Sequence, residues 1–80
     1  MTLRQRVKLI ELKREIEWAF IGASKVTRQQ LSSFGDTELL RAISSLKEAI
    51  EREDGSVAFD VICAWHDHGI VGAVKAALMP

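Results

Sequence analysis

Residues 3–21 read LRQRVKLIELKREIEWAFI, and the spacing of their apolar side chains decides the fold class. At about 100° per residue, Leu9, Leu12, Ile16, Ala19 and Phe20 gather on one side of a helix. Leu3, Val7, Ile10, Trp18 and Ile21 gather on roughly the opposite side. Two charged seams separate these stripes: Arg6, Lys13 and Glu17 on one flank, Arg4, Lys8, Glu11 and Glu15 on the other. A helix that serves only its own core shows one stripe and a polar back. Two stripes predict burial against two surfaces, of which the remainder of the chain supplies one. Thr2 is the expected N-cap of this helix and Gly22 its end.

Beyond Gly22, Thr27-Arg28-Gln29-Gln30 has the form of a capping box and predicts a short helix from Arg28 to Ser33. Leu31 and Phe34 would point inward, and Gly35 would stop it. Asp36 reads as the next N-cap, with Glu38 favoured by the positive end of the helix dipole. Thr37–Glu53 predicts a third helix whose stripe is Leu39, Leu40, Ala42, Ile43, Leu46, Ala49 and Ile50. Lys47–Glu51 and Glu48–Arg52 have the spacing of ion pairs along its polar back. Asp54-Gly55 ends this helix, and Ser56 reads as the cap of the next element.

Residues 57–65, VAFDVICAW, admit a strand, because alternation sets Val57, Phe59, Val61, Cys63 and Trp65 on one face. Helix is the better reading, since no second strand exists to pair with and a lone strand leaves its backbone unsatisfied. Such a helix is apolar nearly all round, which predicts a place in the middle of a bundle. Gly69 breaks it, and Ile70–Met79 forms a closing helix with Ile70, Val71, Val74, Ala77 and Leu78 on one side. The expected fold is all-α, a compact bundle of four to five helices forming a single domain over residues 1–80.

Eighty residues, 48% apolar with one proline, predict a folded domain close to the size at which one core barely suffices. Oligomerisation or a partner would supply what that core lacks. The formal net charge of zero removes the easiest electrostatic case for nucleic acid or an anionic membrane. Residues 1–30 nonetheless hold seven basic and three acidic side chains, a balance of +4, and residues 31–80 hold four basic and eight acidic, a balance of −4. That polarity can orient a head-to-tail or antiparallel pairing; solvated faces that differ in sign are the plainer account. The single Cys63 excludes an internal disulfide and fits a reducing compartment. Arg4, Arg6 and Lys8 interrupt the first apolar residues, so no secretory signal is expected. Asp60, His66, Asp67, His68 and Lys75 interrupt the apolar stretch Val57–Met79, so no membrane span is expected either. The expected location is cytoplasmic.

Cys63, His66, Asp67 and His68 are the one cluster with metal-ligand or catalytic residue types. On a helix His68 points about 140° from Cys63, so three of them cannot converge on one ion. The second pair of ligands that a structural zinc site needs is missing. No metal, cofactor or catalytic residue is therefore expected. A Cys–His nucleophile pair would also need an oxyanion loop, and no phosphate-binding, dinucleotide-binding or H-E-x-x-H motif is present. Helix–Gly–helix segments around Gly35 and Gly69 invite comparison with a helix-turn-helix. That motif wants a small residue four positions before its turn glycine, where this chain has Leu31 and Trp65. Around Gly69 the second helix would offer DNA only Lys75.

The second stripe of the first helix remains: Leu3, Val7, Ile10, Arg14, Trp18 and Ile21, an apolar strip with an arginine set into it. Trp and Arg are over-represented among interface hot spots. The competing expectation is that the short helices wrap around and bury both sides, making the first helix central. The functional expectation is a small non-enzymatic regulator or adaptor, a homodimer, that docks on, occludes or sequesters another protein through this strip. Many phage or mobile-element inhibitors are of this size, an association from size alone. The alternative is a DNA- or RNA-binding regulator using Arg4, Arg6, Lys8, Lys13, Arg14, Lys25 and Arg28.

Overall fold

The computed structural model describes residues 1–79. They form α1 (Leu3–Phe20), α2 (Lys25–Gln30), α3 (Asp36–Arg52) and α4 (Gly55–Leu78), so that 82% of the described residues are helical and none is in a strand. The segment 57–65 is thus helix.

Local chemistry sets each boundary. Thr2 Oγ1 accepts the Gln5 N–H at 3.2 Å while Gln5 Oε1 accepts the Thr2 N–H at 2.9 Å, a reciprocal cap that opens α1. At the other end Gly22 takes φ +82°, which turns the Gly22 N–H to the Ala19 carbonyl at 3.1 Å and the Ala23 N–H to the Trp18 carbonyl at 2.8 Å.

Four boundaries differ from expectation, and one of them is the end of α2, which stops at Gln30 with Leu31 as its C-cap rather than running to Ser33 and Gly35. α2 begins at Lys25, not Arg28, because Ser24 rather than Thr27 is its N-cap. Ser24 Oγ accepts the Thr27 N–H at 3.4 Å and its hydroxyl donates to Thr27 Oγ1 at 3.0 Å, so Thr27 is spent inside the helix. The earlier start puts Arg28 in the last turn, where its guanidinium donates to the Phe20 carbonyl at 2.9 Å and the Ala19 carbonyl at 3.4 Å. Those carbonyls end α1 and carry the negative pole of its dipole. α3 is capped by Gly35, whose N–H donates to Glu38 Oε1 at 3.2 Å, and Asp36 is its first helical residue. Asp54, rather than Ser56, caps α4, Oδ1 accepting the Ser56 and Val57 N–H groups at 3.1 and 3.2 Å. The α3–α4 turn is therefore tight, and Glu53 takes a left-handed φ of 55°.

α4 breaks where expected. Gly69 has φ 72° and ψ −164°, a region essentially closed to side-chain-bearing residues, and it divides α4 into a first segment ending at His68 and a second beginning at Ile70. Gly72 lets the bend close: a Cβ there would lie 2.5 Å from the His68 Cβ and 3.0 Å from the Ala64 carbonyl oxygen.

One core cluster joins Leu9, Leu12, Ile16 and Ala19 of α1, Leu31 after α2, Leu39, Ala42, Leu46 and Ala49 of α3, and Ala58, Val61, Ile70, Ala73, Val74 and Ala77 of α4. Phe34 packs against it, as expected, half-buried. The first segment of α4 does not take the middle of the bundle: only Ala58 and Val61 are fully buried there, and Phe59 is 60% exposed. Its second segment takes the inner place: Ile70, Ala73, Val74 and Ala77 are all buried there, and side chains as small as alanine's allow neighbouring elements to approach closely. Leu40 lies outside the α3 stripe and is largely exposed, one helical step from the buried Leu39. The ion pairs among the described residues are Arg6–Glu53 at 2.8 Å, Lys13–Glu17 at 2.7 Å and His66–Asp67 at 3.1 Å, so the expected pairs along α3 are not formed.

Candidate functional site

α1 is two-faced. Leu9, Leu12, Ile16 and Ala19 are sealed in the core, and Leu3, Val7, Ile10, Arg14, Trp18 and Ile21 all lie exposed on the opposite side. Leu3 is 78% exposed, Ile21 71% and Trp18 54%, the most exposed apolar side chains of the strip. The short elements do not wrap around α1: α2 crosses its C-terminal end and α3 and α4 pack on its inner side. The strip runs the length of an 18-residue helix, about 27 Å. The backbone beneath Trp18 is fixed, since its carbonyl takes the N–H of Ala23 in the turn that ends α1.

Two grooves flank the strip. Toward α3, Lys13, Glu17, Phe20 and Ile21 face Leu40, Ile43 and Lys47 across a groove of about 370 Å³. This groove carries the apolar surface from Ile21 onto α3 through Leu40. Sequence reasoning missed Leu40 as a surface residue, and the available signal was its place at the edge of the α3 stripe. Exposed Val26 on α2 was missed as well, with no sequence signal beyond the brevity of that helix. Toward α4, Lys8, Ile62, Cys63, Trp65, His66 and Asp67 line a groove of about 400 Å³, and the Lys8 ammonium stands 5.9 Å from the Trp65 ring centroid.

The basic residues of the alternative reading do not share one face. Arg4 and Lys8 lie on the α4 side of the strip and Arg6 and Lys13 on the α3 side, with the apolar residues between them. Arg6 and Lys13 are paired with Glu53 and Glu17, and Arg28 is spent on the carbonyls that end α1. Lys25 is exposed in the first turn of α2. Cys63 is half-buried while His66 and His68 are exposed. No three His, Cys, Asp or Glu side chains are gathered as metal ligands among the described residues, and no helix among them is long and apolar enough to cross a membrane.

Comparison with family models, with curated proteins and with solved structures gives no match.

Proposed function

We propose that the chain is a small non-enzymatic regulator or adaptor that works by docking protein on protein through the outer strip of α1. One observation carries this reading. A single helix buries one apolar stripe completely and leaves a second, contiguous one in solvent along its whole length. Scattered exposed apolar residues are ordinary, but a strip from Leu3 to Ile21 with Arg14 set into it and Trp18 as its anchor has the composition of an interface core. Its setting is the reducing cytoplasm, a reading supported by the single free thiol. Occlusion or sequestration of the bound protein is the mode of action that needs no chemistry beyond burial, as an inhibitor of this size would use. The nucleic-acid reading ranks second, because its basic side chains are split by the strip and partly paired.

The test is affinity capture with the tagged full chain from lysate with and without nuclease. Trp18→Ser and Arg14→Glu run in parallel, with helicity of each checked by circular dichroism. The expected result is a protein retained by the native chain and lost from both folded variants. Retention of the same proteins by all three chains, or of material that disappears only with nuclease, would count against the strip.

A further inference from the structure

We infer that the occupant of the α1 strip is a second copy of this chain, laid antiparallel about a two-fold axis that passes level with residue 12. The inference rests on the strip being a protein interface, and adds what lies on it and in which direction.

The strip reads almost the same from either end. Turned end over end about the midpoint of Ile10 and Arg14, Leu3 comes level with the partner's Ile21. Val7 comes within one residue of the partner's Trp18, small against large, and Ile10 comes level with the partner's Arg14. All six side chains are exposed, so nothing in the subunit has to move aside to admit the second helix.

Charge fixes the direction. In an antiparallel helix pair each flank meets the same flank of the other copy, and in a parallel pair it meets the opposite one. The flank toward α3 carries Arg6 and Glu17, eleven residues apart, and the antiparallel turn brings Arg6 to within one residue of the partner's Glu17. On the other side Glu11 comes within one residue of the partner's Arg14, and by symmetry Arg14 meets the partner's Glu11. A parallel pair would instead set Arg4 against the partner's Arg6, Glu15 against the partner's Glu17 and Arg14 against the partner's Arg14. At the same two-residue offset the antiparallel pair also brings Lys13 near the partner's Lys13 and Glu11 near the partner's Glu11, and the parallel pair brings Lys13 near the partner's Glu11 and Glu15. The closest approaches in the first arrangement are still between opposite charges, with Lys8 also within one residue of the partner's Glu15, whereas Arg6 and Glu17 meet only like charges in the second. Arg6 and Glu17 now pair with Glu53 and Lys13 at the surface, contacts weak enough to exchange. The groove from Ile21 to Leu40 extends the surface onto α3, toward the roughly 800 Å² per copy that a stable pair buries.

Sedimentation equilibrium of the purified full chain tests this over a wide concentration range. The native chain should dimerise. Arg14→Glu and Glu11→Arg should each stay helical and weaken the dimer about a hundredfold, because each sets like charges together twice across the axis. Mixing the two single variants should restore association as a heterodimer, since each then supplies the charge the other lacks. Spin labels at Arg4→Cys in a Cys63→Ser background should lie about 24 Å apart along the helix axis, 16 residues of rise. A native chain that stays monomeric overturns the inference, as does a dimer indifferent to both reversals or labels in close approach. A monomeric chain that still captures a lysate protein through Trp18 would sink self-pairing and leave the docking function standing. A charge-steered dimer that captures nothing else would do the reverse.

Discussion

Leu12 and Trp18 stand six residues apart on α1 and play opposite parts. Leu12 has no exposed surface and touches the core from its centre; Trp18 is more than half in solvent. Leu12→Ala removes fully buried volume from the core, so it should cost about 2–5 kcal/mol. That is a large share of the stability of so small a domain. Trp18→Ser in the isolated subunit should stay within about 1 kcal/mol of the native chain, as surface substitutions do. Thermal melts by circular dichroism separate the two, at about 4–8 °C per kcal/mol for a chain of this size. Equal losses at both positions would mean that Trp18 is core. Leu9, Leu12, Ile16 and Ala19 were legible in the sequence because one helical period aligns them. Leu40 was not, because it adjoins Leu39 at the margin of a stripe, where a small rotation of the helix decides burial.

At the scale of the element, helix interiors were legible and their ends less so. Ser24 and Thr27 are both good N-caps, three residues apart, and each has a polar residue three positions further on. Tertiary contact chose between them, since only the earlier cap places Arg28 against the free carbonyls of α1. Asp54 likewise prevailed over Ser56 because α3 runs on until a single residue separates it from α4's cap. The break at Gly69 was legible from the residue alone, yet which side of it would sit innermost was not. Periodicity measures how apolar a face is, and a small residue such as Ala73, fully buried here, scores low on that measure. Gly69→Ala should destabilise the chain by about 1–3 kcal/mol, the cost of forcing a Cβ into φ 72°, ψ −164°. A melt unchanged by this substitution would show that the bend can be reached by another backbone path.

For the whole molecule, the second stripe of α1 was legible as a pattern but its freedom was not. Whether an apolar face is covered depends on where other elements travel, and sequence periodicity carries no such information. Here α2 has six residues and buries none of them, and α4, bent at Gly69, packs against α1 and α3 in the shared core. No described residue covers the outer side. The charge polarity, +4 in residues 1–30 and −4 beyond, is likewise visible in sequence. Its consequence for pairing follows only from the placement of Arg6, Glu11, Arg14 and Glu17 around the strip. The most direct measurement uses Trp18 as its own reporter in a Trp65→Phe chain, following emission wavelength and acrylamide quenching on dilution. The indole should be solvent-exposed at the lowest concentrations and become shielded, with emission shifted to the blue, as the chain associates. An indole that stays freely quenched at every concentration, while the chain remains folded, would contradict pairing through the strip.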